Sequence, residues 1–176
     1  MEMETHQIRL AQSKDLEKVL MLYNQASLFL KQYNIDQWQN GYPNERTFAD
    51  DLSKDSLYVL IHDIDIIGVA TILDEVDHNY DVIYEGQWLH EGLYICIHRI
   101  TVDNQYKGLG LAKLFIDKAV ELAINRGYSS IRIDTHPDNQ AMRKFLKRQG
   151  FMNCGSIYLE NKDLRIGYEK IIGGII

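Results

Sequence analysis

Val102-Asp103-Asn104-Gln105-Tyr106-Lys107-Gly108-Leu109-Gly110-Leu111-Ala112 is the stretch on which the reading of this chain turns. Before it, residues 92–102 predict a long strand. After it, residues 111–125 carry apolar side chains at helical spacing and end at Gly127, the expected left-handed stop. A helix N-terminus leaves backbone N–H groups unpaired and carries the positive end of the helix dipole, so a strand–glycine–helix junction can hold a phosphate. Glycines at 108 and 110 let an anion approach the backbone with no Cβ in the way. The same letters also fit a plain strand-to-helix turn, so the rest of the chain has to decide.

Two phosphate loops can be tested directly. A dinucleotide-binding Gly-x-Gly-x-x-Gly needs a small residue where Lys113 stands, although Asp134 ends the next strand where a ribose-binding acid would sit. A phosphate loop of the Gly-Lys-Ser/Thr kind has no matching triplet here. The dinucleotide reading is kept as a runner-up.

Working outward, residues 8–10 predict a short strand, and Leu16, Val19, Leu20, Tyr23 and Ala26 a helix capped by Ser13. A second short helix follows Pro43, with Asn44 as its cap and Phe48 and Leu52 turned inward. Residues 57–61 and 66–73 are β-branched runs split by His62-Asp63-Ile64-Asp65, which reads as a hairpin. Residues 74–90 form a polar, acidic connection in which Val82-Ile83-Tyr84 begins a possible strand. Beyond Gly127, residues 131–134 predict a strand, 139–149 a helix ended by Gly150, and 152–159 with 164–170 a terminal hairpin. The order is β-α-α-β-β-β-α-β-α-β-β, an α/β chain with a mixed sheet.

With 176 residues, 45% hydrophobic and 25% charged, one compact domain over 1–176 is expected, with no repeat, linker or low-complexity tract. Residues 1–12 lack the apolar run of a secretory signal, and nothing approaches the roughly 20 apolar residues of a membrane span. A cytoplasmic location with no membrane partner is therefore expected. The formal net charge of -6 argues against nucleic acid as a partner, since such binding needs a basic face. Cys96 and Cys154 sit in apolar stretches far from any Cys-x-x-Cys spacing and read as buried free thiols. The histidines show no His-x-x-x-His or other ligand spacing, so no metal is implied.

The glycine stretch resembles the acetyl-CoA pyrophosphate loop of the GNAT acetyltransferases, Arg/Gln-x-x-Gly-x-Gly/Ala. Gln105-x-x-Gly108-x-Gly110 matches by letter. Lys107-x-x-Gly110-x-Ala112 substitutes Lys for Arg but keeps the five-residue step from Val102, and is preferred. A distant stretch agrees with it. In the family a strand is followed by an Asn, a helix, and Gly-Phe eleven and twelve positions after that Asn, as Asn139, Gly150 and Phe151 are spaced here. The resemblance runs from Ile8 to the final hairpin. Gln37-Trp38, Gly41-Tyr42-Pro43 and Asp134-Thr135-His136 look like a bacterial branch of that family, which does not name the acceptor.

The resemblance implies a mostly antiparallel sheet with a V-shaped splay between central strands, flanked by about four helices. Acetyl-CoA would be the co-substrate, bound by Ile100, Thr101, Val102, Lys107, Gly108, Leu109, Gly110, Leu111 and Ala112, with backbone groups at 100 and 102 pairing the pantetheine arm. Asn139 would sit beside that arm or simply cap its helix, and Lys113 and Lys144 would reach phosphates or remain solvated. The acceptor would be a small-molecule or peptide amine, and either a monomer or a homodimer is compatible. Trp38, Tyr42, Trp88 and Glu91 would line the acceptor pocket, or pack.

An amine such as lysine's, with pKa ~10.4, costs roughly 4.6 kcal/mol to deprotonate at pH 7, against about 2 kcal/mol for a departing thiolate of pKa ~8.5, so a base matters more than an acid. His98 is the favoured base: some members use a histidine at that place, and it lies four residues before Val102, which period-2 alternation puts on one face. His136 and Asp134 come second, and Glu85 is a further option. Where many members carry a tyrosine acid, seven residues after the Asn, this chain has Leu146, and a replacement among its 11 tyrosines cannot be named. An active N-acetyltransferase is therefore expected, with an acyl-CoA-binding sensor without turnover and a dinucleotide binder as alternatives.

Overall fold

The computed structural model describes residues 6–173. Among the described residues, seven strands and four α-helices follow one another in the expected order. They are β1 (His6–Leu10), α1 (Leu16–Gln32), α2 (Glu45–Ser53), β2 (Leu57–His62), β3 (Asp65–Leu73), β4 (Tyr94–Val102), α3 (Lys113–Arg126), β5 (Ser130–Thr135), α4 (Gln140–Arg148), β6 (Met152–Tyr158) and β7 (Leu164–Ile171). The chain divides into two compact units, Met1–Ile72 with Arg99–Phe115, and Leu73–His98 with Ile116–Ile176. No helix among the described residues is long and apolar enough to cross a membrane.

In the first unit β1, β2 and β3 form an antiparallel meander, and the hairpin between β2 and β3 turns at Asp63 with φ +54°. Helices α1 and α2 cover it, burying Val19, Leu22, Tyr23 and Phe48 against Leu57, Val59, Ile66 and Val69. Each such aliphatic side chain contributes about 1.5–3 kcal/mol by leaving water. Asn44 caps α2 as expected, accepting from the amides of Arg46 (3.0 Å) and Thr47 (3.2 Å). Ser13 does not cap α1. It lies in a 3-10 turn, Ser13–Asp15, and Asp15 closes the helix entry by accepting from the Gln12 amide at 2.8 Å and from Arg9 at 2.7 Å. A charged carboxylate with an arginine partner outcompetes a serine hydroxyl for that place.

Also in the first unit, the C-terminal part of β4 lies along β3, with the Asp103 amide donating to the Ile67 carbonyl at 2.7 Å. Gly68 makes the approach possible: a Cβ there would stand 3.1 Å from the Thr101 carbonyl oxygen and 3.2 Å from the Phe115 ring.

In the second unit β5 lies between β4 and β7, with β6 outermost. The β4–β5 pair is parallel and the β5–β7 and β6–β7 pairs are antiparallel. The β4–β5 ladder runs only from Tyr94–Ser130 to Cys96–Arg132, whereas β5 pairs β7 along its whole length to Thr135–Ile166. The strands thus part after Cys96, as the splay requires. A dinucleotide-binding sheet would be parallel throughout its core, so the antiparallel β7 beside β5 removes that runner-up. Of the possible strand at 82–84, only a single bridge forms, Tyr84 to Ser156. Cys96 and Cys154 are buried free thiols, as expected.

Candidate active site

The glycine loop belongs wholly to the first unit. After β4, Asp103 turns the chain by accepting from the Gln105 amide (3.0 Å), and a 3-10 turn spans Asn104–Tyr106. Side chains of α1 hold that turn: Gln25 accepts from the Asn104 amide at 3.1 Å, and Lys18 pairs with Asp103 at 3.6 Å. Gly108 and Gly110 then adopt φ of +83° and +77°, and a Cβ at either would meet nothing within 4 Å. The first helical bonds run from Lys113, Leu114 and Phe115 back to Gly110, Leu111 and Ala112. The amides ahead of Lys113 are the ones a helix start leaves without a helical partner. Leu109 is exposed at the tip.

The Lys107 ammonium lies 3.5 Å from the centroid of the Phe29 ring. Burial lowers its pKa, against the pull of Asp103. Along β4 the Asp103 amide and the Thr101 carbonyl turn toward β3. By strand alternation the backbone groups of Ile100 and Val102 occupy the opposite edge.

Arg99 interrupts that alternation with φ +55°. The period-2 argument linking His98 to Val102 therefore does not hold, because a left-handed residue lies between them. Arg99 itself was not legible as special. Its Nη2 is 2.5 Å from Asp51 Oδ2 and 3.0 Å from the Thr71 hydroxyl, and its Nη1 donates to the Tyr42 hydroxyl at 2.6 Å. Burial alone would lower the guanidinium's pKa, but Tyr42, Asp51 and Tyr23 raise it. Trp38 has φ +60° and accepts from the Ser27 hydroxyl through its carbonyl.

His98 belongs to the second unit and is not alone. Its Nε2 lies 3.1 Å from Asp77 Oδ2 and 3.0 Å from Cys96 Sγ. Asp77 caps a 3-10 turn, His78–Tyr80, and its Oδ1 accepts from the amide and the side-chain nitrogen of Asn79, both at 2.9 Å. Burial would raise the Asp77 carboxyl, but the hydrogen bond and charge of His98 and the Asn79 donors outweigh it and hold the pKa at about 2. Sequence reading missed Asp77, since nothing in the acidic run 74–81 distinguishes one carboxylate from its neighbours. The Asp-x-Asn turn pattern of Asp77 and Asn79 is the one local signal.

The other candidates of the second unit are committed elsewhere. Asp134 accepts from the Tyr80 hydroxyl at 2.8 Å, and His136 Nδ1 accepts from the Asp138 amide at 3.1 Å. Glu85 accepts from Ser156 at 3.3 Å. Leu146 is fully buried in the core, so α4 offers no acid there. Asn139 caps α4 through the Met142 amide at 3.1 Å. Trp88 packs: its indole donates to the Tyr80 carbonyl, and its ring lies over Arg132, which pairs with the fully buried Glu169 at 3.0 Å. Glu91 is exposed.

Among solved structures, the chain is similar to an acetyltransferase of the GNAT family from Streptococcus agalactiae 2603, with 33% identity, a TM-score of 0.86 and 96% of each chain covered. A GNAT family acetyltransferase from Listeria monocytogenes 4b F2365 shares the fold at 21% identity, TM-score 0.74, with 95% of each chain covered. So does the ribosomal-protein-S18-alanine N-acetyltransferase from Escherichia coli, at 14% identity, TM-score 0.65 and 97% of each chain. The family model described as Acetyltransferase (GNAT) family matches residues 16–151, from the first residue of α1 to the Phe151 that closes the second motif. With the glycine loop, the parting of β4 from β5 and this match in agreement, the chain belongs to the GNAT acetyltransferase family.

Proposed function

We propose that this acetyltransferase takes its acetyl group from acetyl-CoA and passes it, by direct attack on the thioester, to the primary amine of a small molecule or peptide. The observation that carries the reading is the pair Gly108 and Gly110, both at positive φ, both with open space on the Cβ side, and both ahead of the first helical bond of α3. That is what a diphosphate needs: unpaired amides, a positive dipole end and no side chain in the way. Residues 107–112 would hold the diphosphate, and the edge groups of Ile100 and Val102 the pantetheine.

His98 acts as the base that frees the amine, and Asp77 holds its ring and favours the imidazolium formed, in the way a carboxylate serves a catalytic histidine. Asn139 serves first as the cap of α4, which orients the helix whatever else it touches. Two free thiols suit a reducing compartment, consistent with a cytoplasmic enzyme.

Leu146 favours a second reading, an acyl-CoA sensor without turnover, because the thiolate leaves without the family's usual tyrosine. A thermal-shift series with acetyl-CoA, CoA and NAD, followed by acetyl-CoA consumption over a panel of amines, separates the readings. Stabilisation by acetyl-CoA but not NAD, with amine-dependent consumption, is expected. Stabilisation without consumption by any amine would favour the sensor, and no stabilisation by either CoA form would end the proposal.

A further inference from the structure

We infer that Asp77, Cys96 and His98 form a binding site for a thiophilic divalent cation of the Zn2+ class, whose occupancy silences the base. The second clause rests on His98 being that base; the first does not. Cys96 and His98 are two apart in β4, so both side chains leave the same face of the strand, and Asp77 meets them from its 3-10 turn. One potential ligand atom of each residue lies within 4.8 Å of the others, and His98 Nε2 sits 3.0 Å from the sulfur and 3.1 Å from the carboxylate oxygen.

Metal–ligand bonds of about 2.0–2.3 Å in a tetrahedron place nitrogen and sulfur about 3.5 Å apart and nitrogen and oxygen about 3.3 Å apart. The two pairs that share Nε2 thus need to open by about 0.2–0.5 Å, and the sulfur and the carboxylate oxygen, which lie within 4.8 Å of each other, have to settle at about 3.5 Å.

The chemistry of the donors selects the ion. A thiolate with an imidazole and one carboxylate suits zinc and its soft neighbours, whereas magnesium and calcium prefer oxygen alone. A thiolate, a carboxylate and a neutral imidazole cancel a 2+ charge, so the buried site is left without net charge. The carboxylate is oriented in advance: Asp77 Oδ1 is taken by Asn79, which leaves Oδ2 for the metal, and the Tyr94 hydroxyl lies 3.3 Å from the Asp77 amide. Cys96 has no exposed surface, while the side chains of Asp77 and His98 are each 18% exposed. The ion enters from their side and keeps water as its fourth ligand. On binding, the Cys96 thiol loses its proton to solvent and Nε2 gives its lone pair to the metal. Because Asp77 holds the ring through Nε2, the lone pair that serves an amine is the one on Nδ1; with the metal on Nε2 the ring proton moves to Nδ1, and the neutral ring keeps no lone pair for an amine.

The test uses chelator-washed full-length protein titrated with Co2+. A near-ultraviolet thiolate-to-cobalt band and tetrahedral visible bands, saturating at one equivalent and displaced by Zn2+, are expected. Cys96→Ser should abolish the near-ultraviolet band, and His98→Gln should weaken binding at least tenfold; far-ultraviolet circular dichroism checks that each variant is folded. Initial rates of acetyl-CoA consumption should fall with Zn2+, with half-inhibition at least tenfold weaker in Cys96→Ser than in the unaltered protein. Absence of the band, or its persistence in Cys96→Ser, overturns the site, even if His98→Gln proves inactive. A Cys96-dependent band with turnover untouched by Zn2+ upholds the site and overturns the silencing, and the role of His98 as base with it.

Discussion

His98 Nε2 and Asp77 Oδ2 are 3.1 Å apart, in a setting where both side chains keep the same small fraction of their surface open to solvent. A histidine held this way has one fixed ring orientation, which a base needs and a surface histidine lacks. His98→Gln should lower kcat about 10²–10⁴-fold, the range for loss of a general base, and leave the thermal shift given by acetyl-CoA intact. Asp77→Asn should cost less, about tenfold in kcat, because the ring remains but is less firmly held. Amine-dependent acetyl-CoA consumption measures both. Equal activity of His98→Gln and the unaltered protein would remove His98 from the mechanism.

Gly110→Ala tests the loop. With φ +77° and nothing within 4 Å, the added methyl meets no protein atom, so its protein-internal cost is backbone strain, roughly 1–2 kcal/mol for a left-handed alanine. The same methyl would stand where a diphosphate approaches the amides. The expected outcome is a small loss of stability with a Kd for acetyl-CoA weakened more than tenfold, read by calorimetric titration. A variant that loses stability but binds acetyl-CoA unchanged would show that the loop serves the fold alone.

The order of elements was legible because each boundary has a local cause: Asn44 and Asn139 at helix starts, Gly127 and Gly150 at φ +71° and +82° at helix ends, β-branched runs in between. The glycine loop was legible for the same reason. What could not be read depends on partners far away in sequence or on a break in a period. Arg99 leaves the extended region inside a strand whose letters, Ile-His-Arg-Ile-Thr-Val, look regular, because its guanidinium reaches Asp51, 48 residues earlier. Asp77 finds His98 across 21 positions that include the irregular connection. Ser13 looked like the better cap until Arg9, folded back from β1, made Asp15 the stronger acceptor.

Asp134 gives the pH prediction. Burial raises its carboxyl above the ordinary value, and His98, the Tyr80 hydroxyl and Arg165 only partly oppose this. A carboxyl whose folded pKa exceeds its unfolded one contributes stability that is fully present below the unfolded pKa and is lost as pH rises through the folded pKa. At neutral pH the ionised group is therefore a burden on the fold. Asp134→Asn still accepts from Tyr80 and does not titrate. Its Tm relative to the unaltered protein should improve steadily from pH 4 to pH 7, by scanning calorimetry. A relative Tm that falls over the same range would contradict the sign.

The Arg99–Asp51 pair yields the largest stability effect. Both side chains are nearly out of solvent, at 12% and 8% exposed, and Thr71 shares the carboxylate at 2.7 Å. Removing one partner leaves a buried, uncompensated charge, which costs about 3–5 kcal/mol, whereas replacing both by apolar groups of similar volume is close to neutral. Asp51→Ala should lower the Tm by roughly 6–20 °C, taking about 2–4 °C per kcal/mol for a chain of this size. Asp51→Leu combined with Arg99→Met should recover most of the loss, since the left-handed backbone at 99 strains arginine and methionine alike and cancels in the comparison. Urea unfolding of the two variants beside the parent decides it: if the double variant is as unstable as Asp51→Ala, the cost lies in lost packing around Thr71 and Tyr42 and not in the stranded guanidinium.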